Sequence, residues 1–148
     1  MKARRSVLLA TAAVLAAGAF TPALAAPAKF EGGYKLTLQP DPTIQVLTEA
    51  GMANCTSLRP ESSDKRTIAV PQAGKLKVNL DAPDPAGRST GFDWDMYLLD
   101  SKGTVLGKGT SAGPKEEATI VLKSKMPVTI AVCNITGMTD ASVAYVLK

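Results

Sequence analysis

Short segments in which apolar and polar residues alternate recur along most of the chain. A period of two places successive side chains on opposite faces of a strand, so each segment buries one face and exposes the other. Turn-forming residues separate the segments, and no stretch has the spacing of an amphipathic helix. The clearest apolar series are Leu76, Val78 and Leu80; Ala118, Ile120 and Leu122; Val128, Ile130 and Val132; and Val143, Tyr145 and Leu147. The pattern predicts an all-β protein, an antiparallel β-sandwich.

Further segments extend this prediction to the rest of the chain. Residues 34–39 and 67–70 are expected to be short strands that end at prolines, and residues 43–47 a third. Residues 92–99 form the most apolar segment, and the turn that ends at Gly103 returns the chain into a partner strand at 104–106. Trp94 belongs to the apolar side of this segment, so we expect it in the core.

The first 25 residues have the pattern of an export signal. Three basic residues precede an apolar run, and Ala23-Leu24-Ala25 has the small-x-small form of a cleavage site. Removal of residues 1–25 leaves 123 residues and lowers the net charge from +4 to +1. We therefore expect a secreted or periplasmic protein, exported by the general or the twin-arginine route, with one domain at residues 26–148. No later apolar run is long enough to span a membrane, and the low charge argues against nucleic acid as a partner.

The chain contains no histidine, which removes several classes of catalytic site. Ser-His-Asp and Cys-His nucleophile pairs, the His-Glu-x-x-His zinc helix and an imidazole base near neutral pH all require that residue. Hydrolysis by paired carboxylates stays open, because it needs only Asp or Glu. The sequence therefore favours a non-enzymatic protein without a cofactor.

Two cysteines, Cys55 and Cys133, lie in the predicted exported part. An even pair in an oxidising compartment indicates one disulfide, and the two residues do not have the C-x-x-C spacing of a redox pair. Cys133 is out of phase with the apolar series that contains Val132. We therefore expect its sulfur to point away from the core, toward the irregular segment that carries Cys55.

Asp93, Asp95 and Tyr97 are two positions apart, so they share the face of a strand opposite to Trp94. With Asp81 or Asp84 from the preceding segment, the two aspartates could collect oxygen ligands around Ca²⁺. The structural alternative is that these carboxylates accept hydrogen bonds from turn amides and keep the strand from pairing with other chains. Trp94 and Tyr97 lie on opposite faces, so they cannot form one stacking platform for a sugar.

Residues 66–148 resemble the bacterial pre-peptidase C-terminal domain. The resemblance runs through residues 70–76, through Asp93, Asp95 and Tyr97 with the turn at Gly103, and through closing segments at 128–134 and 144–147. It implies a small β-sandwich with jelly-roll-like strand order and an accessory role, with no catalytic residues. The chain contains no peptidase, and the cysteine pair and residues 30–64 are not standard parts of that family.

These observations predict a secreted accessory domain that binds an extracellular protein or a cell-wall polymer, as a monomer or a weak homo-oligomer. Two other functions stay open. One is a hydrolase that uses Asp93 or Asp95 with Asp81 or Asp84, which requires a concave pocket and a raised carboxyl pKa. The other is an inhibitor or a chaperone-like partner of a separate secreted protease.

Overall fold

The computed structural model describes residues 29–41, 55, 59–83, 86 and 91–148. They form eight strands and one short 3-10 turn at Pro60–Ser62. The strands are β1 (Glu31–Thr37), β2 (Ser63–Val70), β3 (Gly74–Asp81), β4 (Asp93–Leu99), β5 (Val105–Gly109), β6 (Lys115–Leu122), β7 (Met126–Thr136) and β8 (Asp140–Leu147). Within these residues there is no helix that is long and apolar enough to cross a membrane.

Two antiparallel sheets of four strands pack face to face. Sheet A has the order β1-β8-β3-β6, and sheet B has the order β2-β7-β4-β5. The first strand pairs with the last, the second with the seventh, the third with the sixth and the fourth with the fifth. This nesting of pairs is the strand order of a jelly roll. The predicted all-β, antiparallel, jelly-roll-like sandwich is confirmed.

The core lies between the sheets and is built from the alternating apolar series. Trp94, Met96 and Leu98 of β4 have no exposed surface, and Leu76 and Val78 of β3 face them from sheet A. The expectation that Trp94 is a core residue is therefore confirmed. Each inward side chain removes apolar surface from water, which is the main favourable contribution to folding.

A second, smaller apolar cluster lies on the outer face of sheet B. Its members on β4 and β7 are Tyr97, Leu99, Ala131 and Ile135, all at most 8% exposed, and Cys55 is buried among them. Cys55 and Cys133 form the predicted disulfide, with 5.6 Å between their Cα atoms. Cys133 thus points away from the main core, as expected for the residue next to the inward Val132 in an alternating strand. The disulfide fixes Cys55, which lies in the segment between β1 and β2, to this face of the sheet.

Hydrogen bonds fix the two ends of that segment. The backbone N–H of Arg59 donates to Asp41 Oδ2 at 3.1 Å, and the N–H of Gln39 donates to the carbonyl of Glu61 at 2.8 Å. Asn134 of β7 has no exposed surface, and its side-chain amide donates to the carbonyl of Leu38 at 2.8 Å. The chain therefore leaves β1 and enters β2 at fixed positions.

Several observed strands are longer than the sequence indicated, although β1 ends at Thr37 rather than at 39 and β4 begins at Asp93 rather than at 92. β1 begins at Glu31 rather than at residue 34, β2 at Ser63 rather than at 67, and β5 continues to Gly109. Backbone pairing with neighbouring strands extends each of them beyond its apolar alternation. The predicted signal at residues 1–25 and the strand at 43–47 lie outside the described residues.

We predict that the double substitution Cys55→Ser with Cys133→Ser lowers the free energy of unfolding by roughly 2–4 kcal/mol, because the cross-link restricts a long loop in the unfolded chain. Urea denaturation of the variant and the oxidised protein measures the difference. Reduction of the unsubstituted protein serves as a control and should give a similar loss. Equal midpoints for the variant and the oxidised protein would contradict the structural role.

Candidate functional site

The β4 carboxylates occupy two different environments. The carboxylate of Asp93 accepts a hydrogen bond from the backbone N–H of Gly113, next to an irregularity in the pairing of β4 with β7. Asp95 lies two residues further along, is 4% exposed and accepts a hydrogen bond from the Tyr97 hydroxyl at 3.3 Å. This hydrogen bond is of the kind expected if Asp93 binds a turn amide rather than Ca²⁺.

Burial changes the acidity of both aspartates. Desolvation raises the pKa of Asp95 to about 6, and the nearby charges of Asp93 and Glu116 act in the same direction. The hydrogen bond from Tyr97 and the charge of Lys108 lower the pKa of Asp95 and only partly offset the increase. Desolvation also raises the pKa of Asp93. The raised carboxyl pKa that a hydrolase requires is present at these positions.

Asp81 lies in a separate environment at the end of β3. Its Oδ2 atom is 3.2 Å from the ammonium of Lys115 on β6, and its Oδ1 atom is buried without a hydrogen-bond partner in the described part of the chain. Asp84 lies outside the described residues. Within the described ranges, no three acidic, histidine or cysteine side chains form a group that could hold a metal ion.

Calcium binding by Asp81, Asp84, Asp93 and Asp95 therefore stays a prediction. The structure places Asp93 next to Asp95 and pairs Asp81 with a lysine, so these three do not form one ligand set. A calcium site that stabilises the fold would raise the melting temperature on addition of Ca²⁺, and a chelator would reverse the increase. An unchanged melting curve would contradict the site.

Glu116 is a buried acid that the sequence reading missed. It is 4% exposed, and its carboxylate accepts hydrogen bonds from the backbone N–H and the hydroxyl of Ser111 at 3.1 and 2.6 Å. The signal was present, because Glu116 continues the inward series of Ala118 and Ile120. An acid at an inward position, next to a loop rich in small polar residues, indicates a carboxylate that holds that loop.

Three of the hollows among the described residues border sheet A. The first measures about 720 Å³ and is bounded by β3, β6 and the end of β5, with Asn79 and Asp81 in its wall. The second, of about 430 Å³, contains Asn79, Ala144 and Tyr145, and the third, of about 460 Å³, contains Ser142. None of the three contains Asp93 or Asp95. The acids with a raised pKa do not line these hollows, but Lys108 and Glu116, whose charges act on Asp95, line the first.

The outer faces of the two sheets differ in their exposure. On sheet B the second apolar cluster and the disulfide bury most outward side chains of β4 and β7. On sheet A the outward residues of β1, β6 and β8 are mostly exposed, and those of β3 are largely half-buried. The outer face of sheet A is therefore the open surface of the two.

Comparison with known proteins does not assign the chain to a family. No protein-family model matches the chain, and no curated protein is significantly similar to it in sequence.

We predict that Asp95→Asn stabilises the protein above pH 6. The raised pKa means that the folded protein binds the proton of Asp95 more tightly than the unfolded chain does. Protonation of Asp95 therefore stabilises the fold fully below about pH 4, near the ordinary pKa of Asp. This stabilisation is lost as the pH rises through about 6. The variant cannot ionise here, so it should be more stable than the parent by roughly 1–3 kcal/mol at pH 7.5.

Urea denaturation at several values between pH 4 and pH 8 measures this difference. Asp100→Asn is the matched control, because hydrogen bonds from Thr104 and Lys102 lower the pKa of Asp100. The ionised carboxylate of Asp100 therefore stabilises the fold above the ordinary pKa of Asp, and this stabilisation is lost at acid pH. Asp100→Asn should accordingly be less stable than the parent at neutral pH. Parallel pH profiles for the parent and Asp95→Asn would contradict the burial of a titrating carboxylate.

Proposed function

We propose that the chain is an exported, non-enzymatic binding domain that contacts an extracellular protein or polymer through the outer face of sheet A. The openness of this face is the observation that carries the proposal, since the outer face of sheet B is covered over β4 and β7. The disulfide supports an oxidising compartment outside the cytoplasm. The resemblance to the pre-peptidase C-terminal domain supports an accessory role.

The charges on this face support binding rather than acid-base chemistry. Glu117 is 2.7 Å from the ammonium of Lys77, and Asp81 is 3.2 Å from that of Lys115. These pairs give the face charges of both signs, which can contact polar groups of a partner. The chain has no histidine to act as an acid or a base near neutral pH.

Exposed apolar side chains on the β5–β6 side add a contact surface. Val121 of β6 is 76% exposed on the outer face of sheet A, and Val105 and Leu106 of β5 are 41% and 37% exposed. β5 lies against β6 closely enough that a β-carbon at Gly107 would be 2.5 Å from Ile120. Of these exposed side chains, Val121 lies on the proposed face and gives it one apolar contact.

One observation favours the second candidate, a carboxylate hydrolase. The pKa of Asp95 is raised to about 6, which suits a general acid near neutral pH. However, Asp95 is buried beside the second apolar cluster, and its neighbour Asp93 accepts a backbone hydrogen bond. Turnover of a peptide, ester or glycoside by the pure protein, abolished by Asp95→Asn, would establish the hydrolase and contradict the binding domain.

We predict that Ala144→Arg weakens binding to an insoluble extracellular polymer by about tenfold or more, because it places a long charged side chain in the centre of the open face. Co-sedimentation with peptidoglycan, collagen, cellulose and chitin measures the binding. Ala69→Arg on the exposed side of β2 in sheet B is the matched control and should bind as the parent does. Equal binding by all three proteins, or no binding by any, would contradict the proposal.

A further inference from the structure

We infer that one end of the sandwich binds the surface of a membrane that contains anionic lipids. This end, which we call the basic end, is where β1, β3, β5 and β7 begin and where β2, β4, β6 and β8 end. The pairs that mark its level in the two sheets are Gly74–Leu122, Val70–Met126 and Leu99–Val105. The inference goes beyond the proposed function, because it concerns another partner and does not depend on the hollows of sheet A.

Lysines are concentrated at the basic end. The six exposed lysines of this end are Lys29, Lys75, Lys102, Lys123, Lys125 and Lys148. Its acidic side chains, in the described part of the chain, are Glu31 and Asp100. Glu31 is 2.6 Å from the ammonium of Lys29, and Asp100 accepts hydrogen bonds from the backbone N–H groups of Lys102 and Thr104, both at 2.8 Å. The other five lysines form no ion pair with a described residue.

The opposite end of the sandwich is richer in acids. Asp81 ends β3, Asp93 begins β4, Glu116 lies near the start of β6, and Asp140 begins β8. Positive charge is therefore in excess at the basic end, and the acids are far from it. Such an asymmetric charge distribution turns a protein toward an anionic surface with its basic end first.

Two of the lysines lie directly opposite each other. The backbone N–H of Lys75 donates to the carbonyl of Lys148 at 2.8 Å, and the N–H of Lys148 donates to the carbonyl of Lys75 at 3.0 Å. Both side chains are exposed on the outer face of sheet A, because the neighbouring Leu76 and Leu147 face the core. Like charges at opposite positions of neighbouring strands repel and destabilise a sheet. An anionic group bound between the two ammonium groups would relieve this repulsion.

The basic end also carries exposed apolar side chains. The large apolar residues with exposed side chains in the described ranges are Val105, Leu106 and Val121, and all three lie at this end. Val121 is 76% exposed, and it lies between Lys75, its partner on β3, and Lys123, two positions further along the chain. Val105 and Leu106 begin β5, which lies against β6 on the same side of the sandwich. Apolar and cationic side chains are therefore interleaved on one part of the surface.

This combination favours a lipid surface over a soluble polyanion. Lysines near a membrane are attracted to anionic headgroups, and apolar side chains beside them enter the boundary between headgroups and acyl chains. A nucleic acid or polyphosphate is held mainly through its charges, so it would make no use of the exposed Val121. Because the lysines come from strands and turns of both sheets, they suit an extended surface better than a single narrow segment such as a peptide.

The test is flotation of the protein with large unilamellar vesicles. The protein is purified after export, and mass spectrometry verifies that residues 1–25 have been removed. We expect saturable binding to phosphatidylcholine vesicles that contain about 30% phosphatidylglycerol, and no binding to pure phosphatidylcholine. Raising the salt concentration to about 1 M should weaken the binding about fivefold or more, because the salt screens the lysines.

Substitutions separate the contributions of charge and of apolar contact. Lys75→Gln with Lys123→Gln should weaken vesicle binding about tenfold, because each lysine near an anionic surface adds to the attraction. The matched control, Lys35→Gln with Lys65→Gln, removes two exposed lysines outside the basic end and should bind as the parent does. Val121→Ser should weaken vesicle binding about threefold or more and should leave any binding of soluble polyphosphate unchanged.

Three outcomes would overturn the inference. These are no saturable binding to the anionic vesicles, an equal loss for the two double-lysine variants, and unchanged vesicle binding by Val121→Ser, which would indicate a soluble polyanion or an acidic protein as the partner. Ala144→Arg separates the inference from the proposed function, because it should lower co-sedimentation with a polymer and leave vesicle binding intact. A loss of vesicle binding in Ala144→Arg would place the lipid on the open face of sheet A and would also overturn the inference.

Discussion

The burial of one face of each sheet against the other is the constraint on which the remaining structure depends. Trp94, Met96 and Leu98 must face sheet A, so the intervening residues of β4 must face outward. That requirement places Asp95 and Tyr97 on the outer face of sheet B, where burial then raises the pKa of Asp95 to about 6. The unusual acidity of this carboxylate is therefore a consequence of how the core is packed.

The disulfide covers part of the outer face of sheet B. Cys133 is on the outward side of β7, and its bond to Cys55 buries that side together with Leu99 and Ile135. Sheet A has no such cross-link, so its exterior is the open one. Two acids on this exterior, Asp81 and Glu117, pair with lysines of neighbouring strands.

Much of the fold was predictable from local pattern. The β-sandwich, the core position of Trp94, the disulfide and the outward direction of Cys133 all follow from period-two alternation and from the cysteine count. The strand at residues 31–33 was missed, because Gly32 and Gly33 have no apolar alternation and are held by pairing with β8. The resemblance to the pre-peptidase C-terminal domain stays a prediction, because many unrelated families share a β-sandwich.

By itself, the sequence determined which residues share a face of each strand, because side-chain direction alternates strictly along an extended backbone. It could not determine which strands become neighbours, because that choice depends on contacts between residues far apart in the chain. Only the tertiary structure therefore paired Asp81 with Lys115, brought Glu116 to Ser111, and placed Asn79 and Ala144 in one hollow. The candidate site of sheet A arises from pairings of β1, β3, β6 and β8.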